Sequence, residues 1–138
     1  MVIVALLLLC IGMDVGQRQE VSAASQKHVI IWSLKGKRLQ YYKAYSSFDY
    51  LDQDNWGNII GGGKRKSIKI SLKAKYYLLK PTLSDPNNLC RVSKKEFVNN
   101  LYETSVEKEN GKVWYWGMAC KLTIKKGQVI KFVQEFQP

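Results

Sequence analysis

Histidine, proline, cysteine and carboxylate are what this sequence has least of, and each shortage closes off some chemistry. The 138 residues hold one histidine, three prolines and three cysteines, and 11 acidic residues stand against 22 basic ones. A serine or cysteine nucleophile needs a base beside it, and the only histidine, His28, lies early in the chain, close to where an exported form is expected to begin. A hydrolytic triad is therefore not expected. Zinc in its usual four-ligand setting needs clustered His and Cys, yet Cys90 and Cys120 have no histidine close in sequence. Paired carboxylates of the glycosidase kind would have to come from Asp49, Asp52 and Asp54. These sit beside Asn55 and Gly57 in a cluster that turn chemistry explains more simply, and Trp56 interrupts the ligand pattern of a calcium loop. Neither a metal nor a cofactor is expected, and with few prolines and no polar segment dividing the chain, its length makes one domain with one core.

Long apolar runs are also missing. Residues 2–13 are uncharged, too few for a spanning helix of about 20 residues, and the small cluster Val21, Ser22, Ala23, Ala24 follows after a polar stretch. That order, an apolar run and then an A-x-A-like site, is the pattern of a secretory signal peptide. Cleavage is expected after Ala23 or Ala24, making residues 1–24 the signal and 25–138 a single β-rich domain. The pattern departs in one respect: no lysine or arginine precedes the run, as a start further upstream would supply. Cys10 follows Leu9 rather than a small residue, so it reads as one more apolar residue of the signal and not as a lipid anchor. The expected compartment is outside the cytoplasm, secreted or associated with the cell envelope.

What the chain has in excess is positive charge. Removing residues 1–24 takes Arg18, Asp14 and Glu20 with it, so the 22 cations and 11 anions become 21 and 9, a net charge of about +12. Such a charge draws a protein to polyanions without specifying its fold. For an exported chain the available polyanions are envelope polymers, anionic lipid headgroups and extracellular nucleic acid. Export also lets disulfides persist, and a bridge between Cys90 and Cys120 would stabilise by about 3 to 4 kcal/mol. The alternative is two separate buried thiols.

Alternation places the strands. "HVIIWSL" (28–34) is β-branched and aromatic and is followed by the bend "KGK"; residues 38–50 alternate with aromatics on both faces. Ile68, Ile70 and Leu72 alternate with Lys69, Ser71 and Lys73, a strand with one apolar face, which "AKYYLL" (74–79) continues after a bend. Pro81, Asp85 and Pro86 mark a loop. Ser93 and Glu96 then form a capping box, opening a short helix over about 93–103 whose apolar face carries Phe97, Val98, Leu101 and Tyr102. In the last third, residues 114–124 read as one long strand with Trp114, Trp116, Met118, Cys120, Leu122 and Ile124 on one face; "KKGQ" turns it into a hairpin with 129–136. Asn110 and Gly111 make a strong turn, so 105–109 adds a short strand. The expected class is mostly β, with a three-strand meander, one short helix and a C-terminal hairpin, the element order of an OB-like open barrel.

"SIKISLKAKYYLL", "RVSKKEFVNNL" and "KLTIKKGQVIKFVQEFQP" together resemble small exported basic domains of Gram-positive bacteria. In these a lysine-rich strand ends in a tyrosine pair, a capped helix follows, and the last hairpin carries a K-x-G-x-V turn. The resemblance covers residues 67–138. It implies an exported OB-like β-domain, and because such domains mostly lack an assigned activity it implies no site.

"IIGGGKRKS" (59–67) invites comparison with the phosphate-cradling loop G-x-x-x-x-G-K-[ST]. With Gly63 and Lys64 as its last glycine and lysine, the first glycine falls on Asn58 and the hydroxyl on Arg65, and a strand rather than a helix follows. A nucleotide site is excluded, and the stretch reads as a glycine hinge whose cations project from a loop. The functional constellation is basic residues among aromatics: Arg38, Lys43, Lys64, Arg65 and Lys66 around Trp32, Tyr41, Tyr45 and Trp56. A cationic groove with stacking platforms holds single strands of nucleic acid, whereas the same rings could equally fill a small core. The expectation is a binding module rather than an enzyme. Its partner is expected to be an anionic envelope polymer or lipid surface; single-stranded nucleic acid is the alternative, and an envelope-directed enzyme a third reading.

Overall fold

The computed structural model describes residues 23–47 and 58–137. Among the described residues these elements follow one another: β1 (Ser25–Lys35), β2 (Arg38–Ser46), β3 (Ile59–Leu79), β4 (Leu89–Val92), α1 (Lys94–Asn99), β5 (Ser105–Glu109), β6 (Lys112–Trp116), β7 (Met118–Lys125) and β8 (Gln128–Gln134). Five strands pair in a closed circuit. β1 pairs β2, β2 pairs β3, β3 pairs β8, β8 pairs β7, and β7 returns to β1, with β3–β8 the one parallel step. β4 adds to the far half of β3, while β6 touches its start at Gly61–Tyr115 and carries β5 on its other side.

The inward rows of these strands supply the core: Val29 and Ile31 from β1, Leu39 and Tyr41 from β2, Ile70 and Tyr76 from β3, with Cys120, Leu122, Val129 and Phe132 from the hairpin. Phe97 of α1 joins them and is fully buried. The helix is shorter than the 93–103 expected. The Glu96 N–H donates to Ser93 Oγ at 3.1 Å as the capping box requires, but Asn100 closes the far end by donating to Glu96 O. A second, smaller cluster of Ile60 and Trp114, with Tyr45 and Trp116 against it, lies apart from the main core.

The expectations that relied on unbroken alternation are the ones corrected. "IIGGGKRKS" is not a hinge between strands but the opening of the 21-residue β3. Gly61 and Gly62 are buried and pair with Ala44 and Lys43, and a Cβ at Gly61 would come within 2.9 Å of Tyr42 Cβ and 3.1 Å of Ile30 Cβ. Only past these does the ladder slip, so that residues 63–65 of β3 oppose Tyr42 alone in a bulge. A second slip lies between Ile70 and Lys75 against β8, and Leu72, expected beside Ile70, is 84 % exposed there. The long strand expected over 114–124 is two strands broken at Gly117.

At Gly117 a Cβ would lie 2.7 Å from the Ile31 carbonyl oxygen and 2.9 Å from Ile30 Cγ2. The first of these is backbone and cannot swing aside, so Gly117→Ala is expected to cost about 1–3 kcal/mol as an overpacked site, read as a lower denaturant midpoint. The disulfide expectation is also corrected: Cys90 and Cys120 are free thiols. Cys90 sits on β4 and Cys120 on β7, with β3 and β8 between them in the sheet, whereas a bridge needs Cα atoms within about 7 Å.

Candidate functional site

Across β1, β2 and β3 the sequence places two, two and six Lys or Arg and no Asp or Glu. Register decides which of these converge. On β1 and β2 the inward rows carry Val29 and Tyr41 into the core, and one inward step further along each strand is a lysine: Lys27 before Val29, Lys43 after Tyr41. Val29 pairs with Lys43, and Tyr41 pairs across to Lys66 of β3. Three cations on neighbouring strands therefore stand where the apolar rows run out. With Gln26, His28, Val29, Tyr41 and Ala44 they line a cavity of about 440 Å³ that has no carboxylate in its walls. His28 Nδ1 lies 2.7 Å from Glu135 Oε1, so that carboxylate is already engaged. Lys43 Nζ is 5.1 Å from the Tyr45 ring centroid, a cation–π contact that aims the ammonium.

The aromatic half of the expected constellation is differently placed. Tyr41 is 4 % and Tyr42 2 % exposed, the first in the core and the second on the opposite face of β2. Tyr42 stacks on Tyr115 of β6 with centroids 3.7 Å apart, and Trp32 meets both edge-on at 5.6 and 5.7 Å. Arg65 closes this group: its Nε donates to Tyr42 Oη at 2.9 Å and its guanidinium lies 5.0 Å from the Trp32 ring. Arg65 lies in the bulge at 63–65, and its side chain is held against the rings of Tyr42 and Trp32. Tyr45 is half-buried against the smaller cluster. Lys64 is exposed in the bulge, and Arg38 stands at the far end of β2 opposite Lys35 and Lys69. Trp56, like Asp49, Asp52 and Asp54, lies outside the described residues.

Lys27 and Tyr115 are the participants that the sequence reading missed. Lys27 shares the parity of Val29 and was legible in principle; Tyr115 was not, because its partner Tyr42 is remote in the chain. Among the described residues no group of three or more His, Cys, Asp or Glu is placed to hold a metal ion, and no helix is long and apolar enough to cross a membrane. Burial pushes the Cys120 thiol well above the ordinary thiol range, and burial also raises Tyr76. A thiol so shifted stays protonated near neutral pH and is a poor nucleophile. What the arrangement can do is hold anions by charge. No protein-family model, curated protein or solved structure matches this chain.

Proposed function

We propose that this protein is an exported binding module that engages an anionic cell-envelope polymer by charge, on an OB-like barrel. The observation that carries the reading is the convergence of Lys27, Lys43 and Lys66 on a cavity of about 440 Å³ without a carboxylate. The barrel reading is supported by the circuit β1–β2–β3–β8–β7, its one parallel step at β3–β8, and a helix lying between β3 and β7 in the chain. In the OB architecture the face of the second and third strands and the loops after the first and fourth bind oligosaccharides and oligonucleotides. Here that face carries Lys43 and Lys66, and the two turns carry Lys37 and Lys126.

Single-stranded nucleic acid is the second reading, favoured by the same circuit. It is weakened by the packing of the rings, since Trp32, Tyr41 and Tyr42 are engaged with neighbours and base stacking needs open ring faces. A polymer recognised through its phosphodiesters needs no platform. Titration of a glycerol-phosphodiester polymer is the test: with three phosphates neutralised, affinity should fall about twentyfold between roughly 50 and 200 mM salt. Salt-independent binding would defeat the charge reading. An oligodeoxythymidine that binds much more tightly than the base-free polymer at equal charge would favour nucleic acid.

A further inference from the structure

The second bulge of β3 carries a feature that polymer binding does not use. Between Ile70 and Lys75 the β3–β8 ladder advances five residues on β3 and two on β8, and the surplus throws Leu72 outward until 84 % of it faces solvent. By alternation this side chain belongs inside with Ile70. Beside it opens a cleft of about 290 Å³ whose walls include Leu72, Lys37, Lys75, Arg91 and Lys94, cations from the β1–β2 turn, β3, β4 and α1, and no carboxylate. Lys94 Nζ donates to the Gly36 carbonyl, which tethers the helix start to the β1–β2 turn and keeps that charge at the cleft. Glu96, the acidic residue nearest in sequence, is turned to Lys80 at 3.0 Å.

We propose that this bulge docks the protein onto an anionic lipid bilayer, with Leu72 entering the interface and the four cations meeting lipid phosphates. An apolar tip inside a basic collar matches the layered chemistry of such a surface, apolar below and negatively charged above. A soluble polyanion would use the collar and leave the tip idle. The surface is separate from the cavity of Lys27, Lys43 and Lys66, so the proposal stands independently of the polymer reading.

The test is co-sedimentation of the chain from Ser25 onward with phosphatidylglycerol-containing and pure phosphatidylcholine vesicles. This form retains every buried core residue among the described residues, of which Val29 is the first, and lacks the apolar run that would itself partition. Binding is expected to the anionic vesicles only. Leu72→Ser should reduce partitioning about tenfold, Leu72→Trp should preserve it, and Arg91→Ser or Lys75→Ser should each reduce it about fivefold. Leu72→Ser should leave the thermal midpoint and glycerol-phosphate polymer binding unchanged, so failure here and failure of the polymer reading are told apart. Equal partitioning of Leu72→Ser and the parent chain would overturn the proposal. So would displacement of both by millimolar glycerol phosphate, which would make the cleft a site for soluble phosphate.

Discussion

Phe132→Ala is expected to destabilise this protein by about 3 to 5 kcal/mol, a large effect for a single core truncation. Phe132 is fully buried, and its position explains the size. In the antiparallel ladder it faces Leu122 of β7, and in the parallel ladder it faces Tyr76 of β3, so the residue belongs to both pairings that β8 makes in closing the circuit. Its ring stacks on Tyr76 with centroids 4.8 Å apart and leans on Phe97 of the helix at 5.5 Å. Alanine would remove the contact shared by the hairpin, the long strand and the helix, and would leave a void that none of the three can fill alone. Domains of this size are held by about 5–15 kcal/mol, so the variant should unfold at a much lower urea midpoint. Phe136→Ala is the comparison: that residue is 63 % exposed and the change should stay within about 0.5 kcal/mol. A Phe132→Ala midpoint close to that of Phe136→Ala would mean that the aromatic trio is not where the core is held.

Local chemistry was legible wherever the determinant lay within a few residues. Ser93 caps the helix as its half of the capping box predicts, though Glu96 turns to Lys80 instead of back to Ser93, and Asn110–Gly111 and Lys126–Gly127 occupy the left-handed backbone that their turns need, with φ of 51°, 79°, 52° and 73°. Alternation gave the inward row of β7, because nothing interrupts Cys120–Leu122, but on β2, with aromatics on both faces, it did not say which row turns in. It misled at each slip of register. Leu72 has the parity of Ile70 but lies in a bulge that only the distant partner β8 defines, and Gly61 reads as a hinge until Tyr42 and Ile30 are laid across it. The covering of the tyrosines was hidden for a related reason. Period two says that Tyr41 and Tyr42 face opposite sides; it cannot say that both sides are covered, the inner by the core and the outer by Tyr115 from β6. The cations are divided by register. Lys27, Lys43 and Lys66 line one cavity, and Arg65 lies against the rings.

That division sets up the second expectation. Replacing Lys27, Lys43 and Lys66 together with serine should weaken binding of a glycerol-phosphodiester polymer about a hundredfold at low salt, at about 1 kcal/mol per cation near an anionic surface. All three side chains are exposed, so the thermal midpoint should hardly move. The salt dependence provides a second reading of the same change, because three lost phosphate contacts should flatten the slope of log affinity against log salt by about 2. Arg65→Ser is the counterpart with the opposite signature. Its guanidinium spans Trp32 and Tyr42 rather than the cavity, so stability should fall while the salt slope stays near that of the parent. Had all cations of "KRK" acted alike from one loop, Arg65→Ser and Lys66→Ser would lower affinity equally. If the triple lysine variant keeps both its affinity and its slope, the polymer is held elsewhere, and the cavity over Val29 and Tyr41 is no more than a gap at the end of the core.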